Sequence, residues 1–217
     1  YEALLENAGS QPQATEEVPE PETEEAPDVL KSLGIEIPEK DIDFAALKEE
    51  NSDVYAWIYV PGTNVDYPVL QHPTDDAYYL EHNMDGSKGL PGCIYTESVN
   101  TKDFTDPNTV LYGHNMKNGS MFGSLKQYKN DGFYEKNAYF TVFTEDAAYR
   151  YQIFAYSDVP EDSDVYTTGY LPDETFDGFL TELLKSSYKD TGVTVGKDDK
   201  VLTLSTCSPP PPPPPPP

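Results

Sequence analysis

Residues 54–71 read VYAWIYVPGTNVDYPVLQ, two runs of β-branched and aromatic residues meeting at a turn. VYAWIYV (residues 54–60) has the composition of a strand and is stopped by Pro61-Gly62. VDYPVLQ (residues 65–71) supplies a second strand, with Pro68 pointing to an edge or irregular stretch because proline offers a ladder no N–H. The period just before is different. In DFAALKEEN (residues 43–51) Phe44, Leu47 and Ala46 fall on one face of a short helix with Asp43 as its N-cap. Five more strand candidates follow in GCIYTE (92–97), NTVLYGHN (108–115), AYFTVFTE (138–145), YRYQIFAYSDV (149–159) and KVLTLSTC (200–207). Asp85-Gly86, Pro91-Gly92, Asp106-Pro107-Asn108 and Asn118-Gly119 supply turns between them. From Asp173 onward, Phe176, Phe179, Leu180, Leu183 and Leu184 recur with helical spacing behind a capping aspartate. Seven strand candidates, one or two helices and no βαβ alternation predict a mainly β domain. A barrel is favoured over a sandwich, because closure hides strand edges.

Charge narrows the function. Against 14 Lys and Arg stand 39 Asp and Glu, a net charge of −25, which repels nucleic acid and anionic membrane surfaces. Residues 1–50 carry 15 acidic and 3 basic side chains, yet the rest of the chain is acidic too. SQPQATEEVPEPETEEAP (residues 10–27) has almost no large apolar side chain and reads as a disordered, solvated spacer. We therefore assign 1–40 as an acidic, proline-rich linker and 41–208 as the folded domain. Two cysteines, Cys93 and Cys207, make no disulfide framework. No run of about 18 apolar residues spans a membrane, and the sequence opens at Tyr1 without a basic-then-apolar leader. For an exported protein the targeting segment would lie outside this sequence. Seventeen tyrosines, with many Asn, Asp, Thr and Gly residues, suit an extracellular β-rich protein.

The residue types leave few chemistries. Of three histidines, His72, His82 and His114, none sits at metal-ligand spacing from another or from a cysteine, so no metal site is expected. There is no glycine-rich phosphate loop and no GxSxG elbow. Cys207 ends one strand candidate and His114 ends another. Two strand ends at one rim of a barrel would bring an imidazole to a thiol, and a neighbouring imidazolium favours the nucleophilic thiolate. Spacing alone leaves the plainer reading open: a buried thiol and a surface histidine.

Longer motifs carry a resemblance. NTVLYGHNMKNGSMFGSLKQY (108–128) and KVLTLSTCS (200–208) resemble the histidine and cysteine motifs of the class B sortases. YAWIYVPGTNVDYPVLQ, DAYYLEHNMDGSKGLPGCIYTE and DTGVTVGKDDKVLTLSTC resemble the same class in the same order, from about Asp43 to Ser208. The resemblance implies a closed eight-stranded β-barrel with a few peripheral helices, on the outer face of a Gram-positive cell membrane. It implies a cysteine transpeptidase with no cofactor. Cys207 would attack the carbonyl after the threonine of an LPxTG-like or NPQTN-like sorting signal, and His114 would act as acid and base. Partners would be a signal-bearing surface or pilin protein and an amine acceptor in peptidoglycan or pilin. The membrane would be met only through a segment absent from this sequence. Leu80, Tyr112, Ser205 and Thr206 match positions lining the family's substrate groove, with ordinary packing at the barrel rim as the plainer alternative. Cys93 matches no catalytic position and reads as a buried strand thiol.

One departure stands out. The family carries an arginine on the strand after its cysteine, where this sequence reads nine prolines, Pro209 to Pro217. Arg150, the sole arginine, precedes the cysteine and does not match that motif. Proline cannot supply a barrel's closing strand, so the run is read as a placeholder or artefact rather than a native tail. Taken literally, it favours an alternative: a sortase-like module that binds sorting signals without transferring them. A papain-type protease fits less well, since its cysteine lies near the N-terminus.

Overall fold

A computed structural model describes residues 36–160 and 163–206. The expected linker up to residue 35, Cys207 and the proline run lie outside the described residues. Seven strands are assigned, one for each candidate run: β1 Val54–Tyr59, β2 Asp66–Leu70, β3 Ile94–Tyr95, β4 Asn108–Tyr112, β5 Tyr139–Phe143, β6 Ala148–Gln152 and β7 Val201–Ser205. They form one sheet in the order β6-β5-β1-β2-β3-β4-β7, which curls into a nearly closed barrel. The expected eighth strand is not assigned among the described residues. The end strands β6 and β7 are not hydrogen-bonded to each other, and a cleft of about 1490 Å³ lies beside them, with Tyr149, Tyr151, Leu202, Leu204, His114 and Thr206 in its walls.

Period-2 alternation builds the core. Ile58, Val69, Ile94, Leu111, Val142, Tyr151 and Leu204, one from each strand, meet in a single apolar cluster inside the barrel. The alternate side chains Leu70, Tyr95, Tyr112 and Phe143 join a second cluster on the outside, with Phe44, Tyr79 and Cys93. Pro68 does not mark an edge strand, because β2 lies between β1 and β3. It is tolerated because β3 pairs only with Val69 and Leu70, so beside Pro68 that side of β2 has no partner strand.

Among the described residues four α-helices accompany the barrel: α1 Phe44–Glu50, α2 Tyr78–Glu81, α3 Phe133–Lys136 and α4 Glu174–Ser186. Short 3₁₀ stretches, Phe122–Lys129 and Asp164–Tyr166, join them. Both expected caps form: the Ala46 N–H donates to Asp43 Oδ1 at 2.9 Å, and those of Thr175 and Phe176 donate to Asp173. The predicted faces need two corrections. In α1 only Phe44 is buried and Ala46 is exposed, since a seven-residue helix laid across the outside of the barrel inserts one large side chain. In α4 the stripe ends early: Phe176, Phe179 and Leu180 are buried with Val165 and Val201, whereas Leu184 is exposed.

A strand only two residues long cannot satisfy its neighbour. Asn100 completes the pairing: its side-chain Nδ2 donates to the Asn108 carbonyl at 3.0 Å, and its Oδ1 accepts from the Val110 N–H at 3.1 Å. Tyrosines are prominent in the packing, with Tyr55, Tyr79, Tyr128 and Tyr134 all buried.

The contrast within α4 is testable. Leu180→Ala should cost about 2–5 kcal/mol by creating a cavity, and Leu184→Ala less than about 1 kcal/mol, both read from denaturant midpoints.

Candidate active site

The site is set by a parallel pairing. β4 and β7 run side by side from Asn108↔Val201 to Tyr112↔Ser205, and the Gly113 N–H extends the ladder to the Ser205 carbonyl at 3.1 Å. Below this end, Thr203 Oγ1 donates to Asn108 Oδ1 at 2.9 Å. Leu111, Leu202 and Leu204 face the barrel interior, while Tyr112 lies with the outer cluster. His114 follows Gly113, which is packed against Ile94 and Phe122: a Cβ on Gly113 would lie 2.5 Å from Ile94 Cδ1. A side chain there would force the Ile94 and Phe122 side chains to shift, so the chain crosses the barrel rim close to the core.

His114 is half-buried, and its Nε2 lies 2.7 Å from the Leu80 carbonyl oxygen. Leu80 belongs to α2, and its side chain is 38% exposed. Thus the structure brings two predicted site residues together, but through the Leu80 backbone. Tyr112 and Ser205 meet as strand partners. The Tyr112 ring stacks on Tyr95 at 5.4 Å, and its hydroxyl donates to Glu97. Burial, with Glu97 beside it, holds the Tyr112 phenol well above its ordinary pKa. Burial also raises the Glu97 carboxyl, assisted by Asp76, although the Tyr112 hydrogen bond opposes this. Ser205 and Thr206 line the cleft beside β6 and β7, whereas Tyr112 and Leu80 do not. Thr206 Oγ1 is buried without a hydrogen-bond partner among the described residues. Cys207, two residues beyond the end of β7, lies outside them.

The other candidates have local roles. Cys93 is buried just before β3 rather than within it, with Sγ 3.5 Å from the His82 carbonyl oxygen. Burial pushes its thiol up to about 12, with Asp85 adding to the shift. Arg150 Nη1 donates to Thr141 Oγ1 at 2.9 Å, and the guanidinium sits 5.3 Å from the Tyr139 ring centre. Burial draws its pKa down. His72 and His82 stack on opposite sides in sequence of Tyr78, at centroid distances of 4.4 and 4.0 Å.

Several residues around the site escape sequence reasoning. Tyr79, Gly92, Asp53 and Glu97 belong to no catalytic pattern, and α2 is a single turn with no period to detect. Gly92 gave only a turn signal as part of Pro91-Gly92. In the fold it has φ +66° and packs against the carbonyls of α2.

Comparison with known proteins places this arrangement. The profile of the Sortase domain family matches residues 58–215. Sortase B of Listeria monocytogenes is 35% identical over 161 residues, which cover 74% of this chain and 65% of that protein, just under two thirds of its length. The structure of Clostridium perfringens sortase B superposes with a TM-score of 0.69 at 35% identity, covering 76% of this chain and 90% of that one. A Staphylococcus aureus sortase B–substrate complex superposes with a TM-score of 0.71 at 30% identity, covering 77% of each chain. With the family profile, the curated relatives and the solved structures in agreement, the chain belongs to the sortase family, within class B.

Proposed function

We propose that this chain acts as a cysteine transpeptidase on a C-terminal sorting signal, with Cys207 as nucleophile and His114 as acid and base. The observation that carries the reading is the β4/β7 register. Tyr112 opposes Ser205, so two residues beyond each strand the sequence presents His114 and Cys207. The Cys207 thiolate attacks the carbonyl carbon of the scissile peptide. The C–N bond breaks, the leaving amine takes a proton from the His114 imidazolium, and a thioester remains. An incoming amine then attacks the thioester carbonyl and gives its proton to His114, and the thiolate departs. Acyl-transfer potential is conserved throughout, so the reaction needs no ATP.

Leu80, Tyr112, Ser205 and Thr206 form the substrate-contacting set in this reading. Support comes from the exposed Leu80 side chain next to His114 and from Ser205 and Thr206 on the cleft wall. The signal is of the LPxTG or NPQTN type, and the acceptor is an amine of peptidoglycan or of a pilin lysine. The working site is the outer face of the cell membrane, with 41–208 as the catalytic domain. Among the described residues no helix is long and apolar enough to cross a membrane; in this reading the anchor is an N-terminal segment.

Incubation with LPxTG-like and NPQTN-like peptides, followed by intact-mass measurement, tests the proposal. A peptide adduct that hydroxylamine removes, and that Cys207→Ala never forms, is the expected result. A folded protein that binds such peptides but forms no adduct would overturn transfer in favour of a binding module. His114→Ala should reduce transfer by about 10²–10⁴-fold, and wild-type turnover in that variant would remove His114 from the mechanism. Alkylation separates the two cysteines. At mildly alkaline pH an iodoacetamide label on the native protein should map to Cys207, while Cys93 reacts only after unfolding because its thiol is buried and pushed up to about 12.

A further inference from the structure

We propose that α2 is a positioning device for His114: the Leu80 carbonyl fixes the imidazole tautomer, while Tyr79 and Gly92 hold that carbonyl in place. The inference rests on the reading of His114 as the acid–base residue. A helix of one turn leaves its carbonyls without intrahelical partners. Here five consecutive carbonyls are each taken by a different group. The Tyr78 oxygen faces His82 Nδ1 at 2.8 Å, and the Tyr79 oxygen accepts from the Cys93 N–H at 3.0 Å. The Glu81 oxygen accepts from the Gly89 N–H at 2.7 Å, and the His82 oxygen from the Cys93 thiol at 3.5 Å. The Leu80 oxygen, between them, takes His114 Nε2 at 2.7 Å.

A carbonyl oxygen only accepts, so Nε2 carries the proton and the neutral ring keeps its lone pair on Nδ1. The other tautomer would set two lone pairs against each other at hydrogen-bonding distance. Nδ1 is therefore the nitrogen that takes and returns the proton in the proposed reaction, while Nε2–H stays on Leu80.

The position of that carbonyl is over-determined. Tyr79 is 2% exposed. Its hydroxyl donates to Asp53 Oδ2 at 2.6 Å and accepts from Asn51 Nδ2 at 3.0 Å, which ties α2 to the end of α1. Burial, reinforced by Asp53, raises the phenol well above its ordinary pKa, so it remains a donor at neutral pH. Gly92 closes the opposite side. A Cβ there would lie 2.6 Å from the Tyr79 oxygen and 2.9 Å from the Leu80 oxygen, with φ at +66°. Alanine at 92 would strain the backbone and displace the carbonyl that holds His114.

Nitrogen-15 NMR of the imidazoles reads the tautomer directly, without substrate, and the other two histidines calibrate it. His72 Nδ1 accepts from the N–H groups of Thr74 and Asp75, so its proton is on Nε2 when neutral. His82 Nδ1 faces a carbonyl, so its proton is on Nδ1. His114 should match His72. Tyr79→Phe and Gly92→Ala should each mix its tautomers and lower kcat about tenfold with KM little changed, a size typical of outer-shell support for an imidazole. Should either variant fail to fold, Asp53→Asn weakens the same anchor and should move the tautomer population in the same direction. A neutral His114 ring protonated on Nδ1 instead of Nε2 would overturn the proposal. So would wild-type tautomer populations and kcat in the folded variants. If instead His114→Ala transfers normally, the acid–base reading falls while the locked tautomer remains, so the two failures are distinguishable.

Discussion

Parallel pairing between β4 and β7 is the constraint on which the rest of the molecule depends. Asn108 and Thr203, joined side chain to side chain across it, are 95 residues apart in sequence. Parallel partners cannot be joined by a tight turn, because the chain must return to the same end before it can run in the same direction. The intervening segment makes that return through the 3₁₀ stretch, the β5–β6 hairpin and α4. Each of these also does core work: Phe122, Phe140, Val142 and Tyr151 belong to the barrel interior, and α4 packs against Val201 at the start of β7. The register is equally constrained. A slip of one residue would turn Leu202 and Leu204 out of the interior and bring Thr203 in, so hydrophobic burial and the alignment of the two motifs enforce one another.

Much of this was legible in the sequence, because strands announce themselves by period and composition. All seven candidate runs contain a strand, although YRYQIFAYSDV overran its strand and GCIYTE contains only two paired residues. Length failed where tertiary pairing decides it: β3 stops where Asn100 takes over the satisfaction of β4. The helical stripes were right in kind and too generous at their ends, since a stripe records only which residues could be buried. Whether Leu184 meets another surface depends on how far α4 overlaps its neighbours.

The candidate site divides in the same way. Cysteine and histidine were named through motifs, and the strand register aligns Tyr112 with Ser205. Leu80 was expected as a lining residue of the substrate groove, yet its tie to His114 is through its carbonyl, and every residue type has one of those. A backbone contact has no signature in residue identity. It becomes visible only through the groups that make it possible: a glycine where no Cβ fits, and a phenol whose hydroxyl is anchored on a neighbouring helix.

The tyrosine-rich packing also makes the fold sensitive to alkaline pH. Tyr55, Tyr79, Tyr112, Tyr128 and Tyr151 all have pKa values raised, with burial as the largest cause. In the unfolded chain a phenol releases its proton near pH 10, while in the folded protein these five retain theirs. Above that pH the native state binds more protons than the unfolded one, so stability falls as pH rises. Each phenolate formed on unfolding absorbs at longer wavelength than the phenol. Alkaline denaturation of this barrel thus writes its own optical record, in residues that serve as ordinary packing at neutral pH.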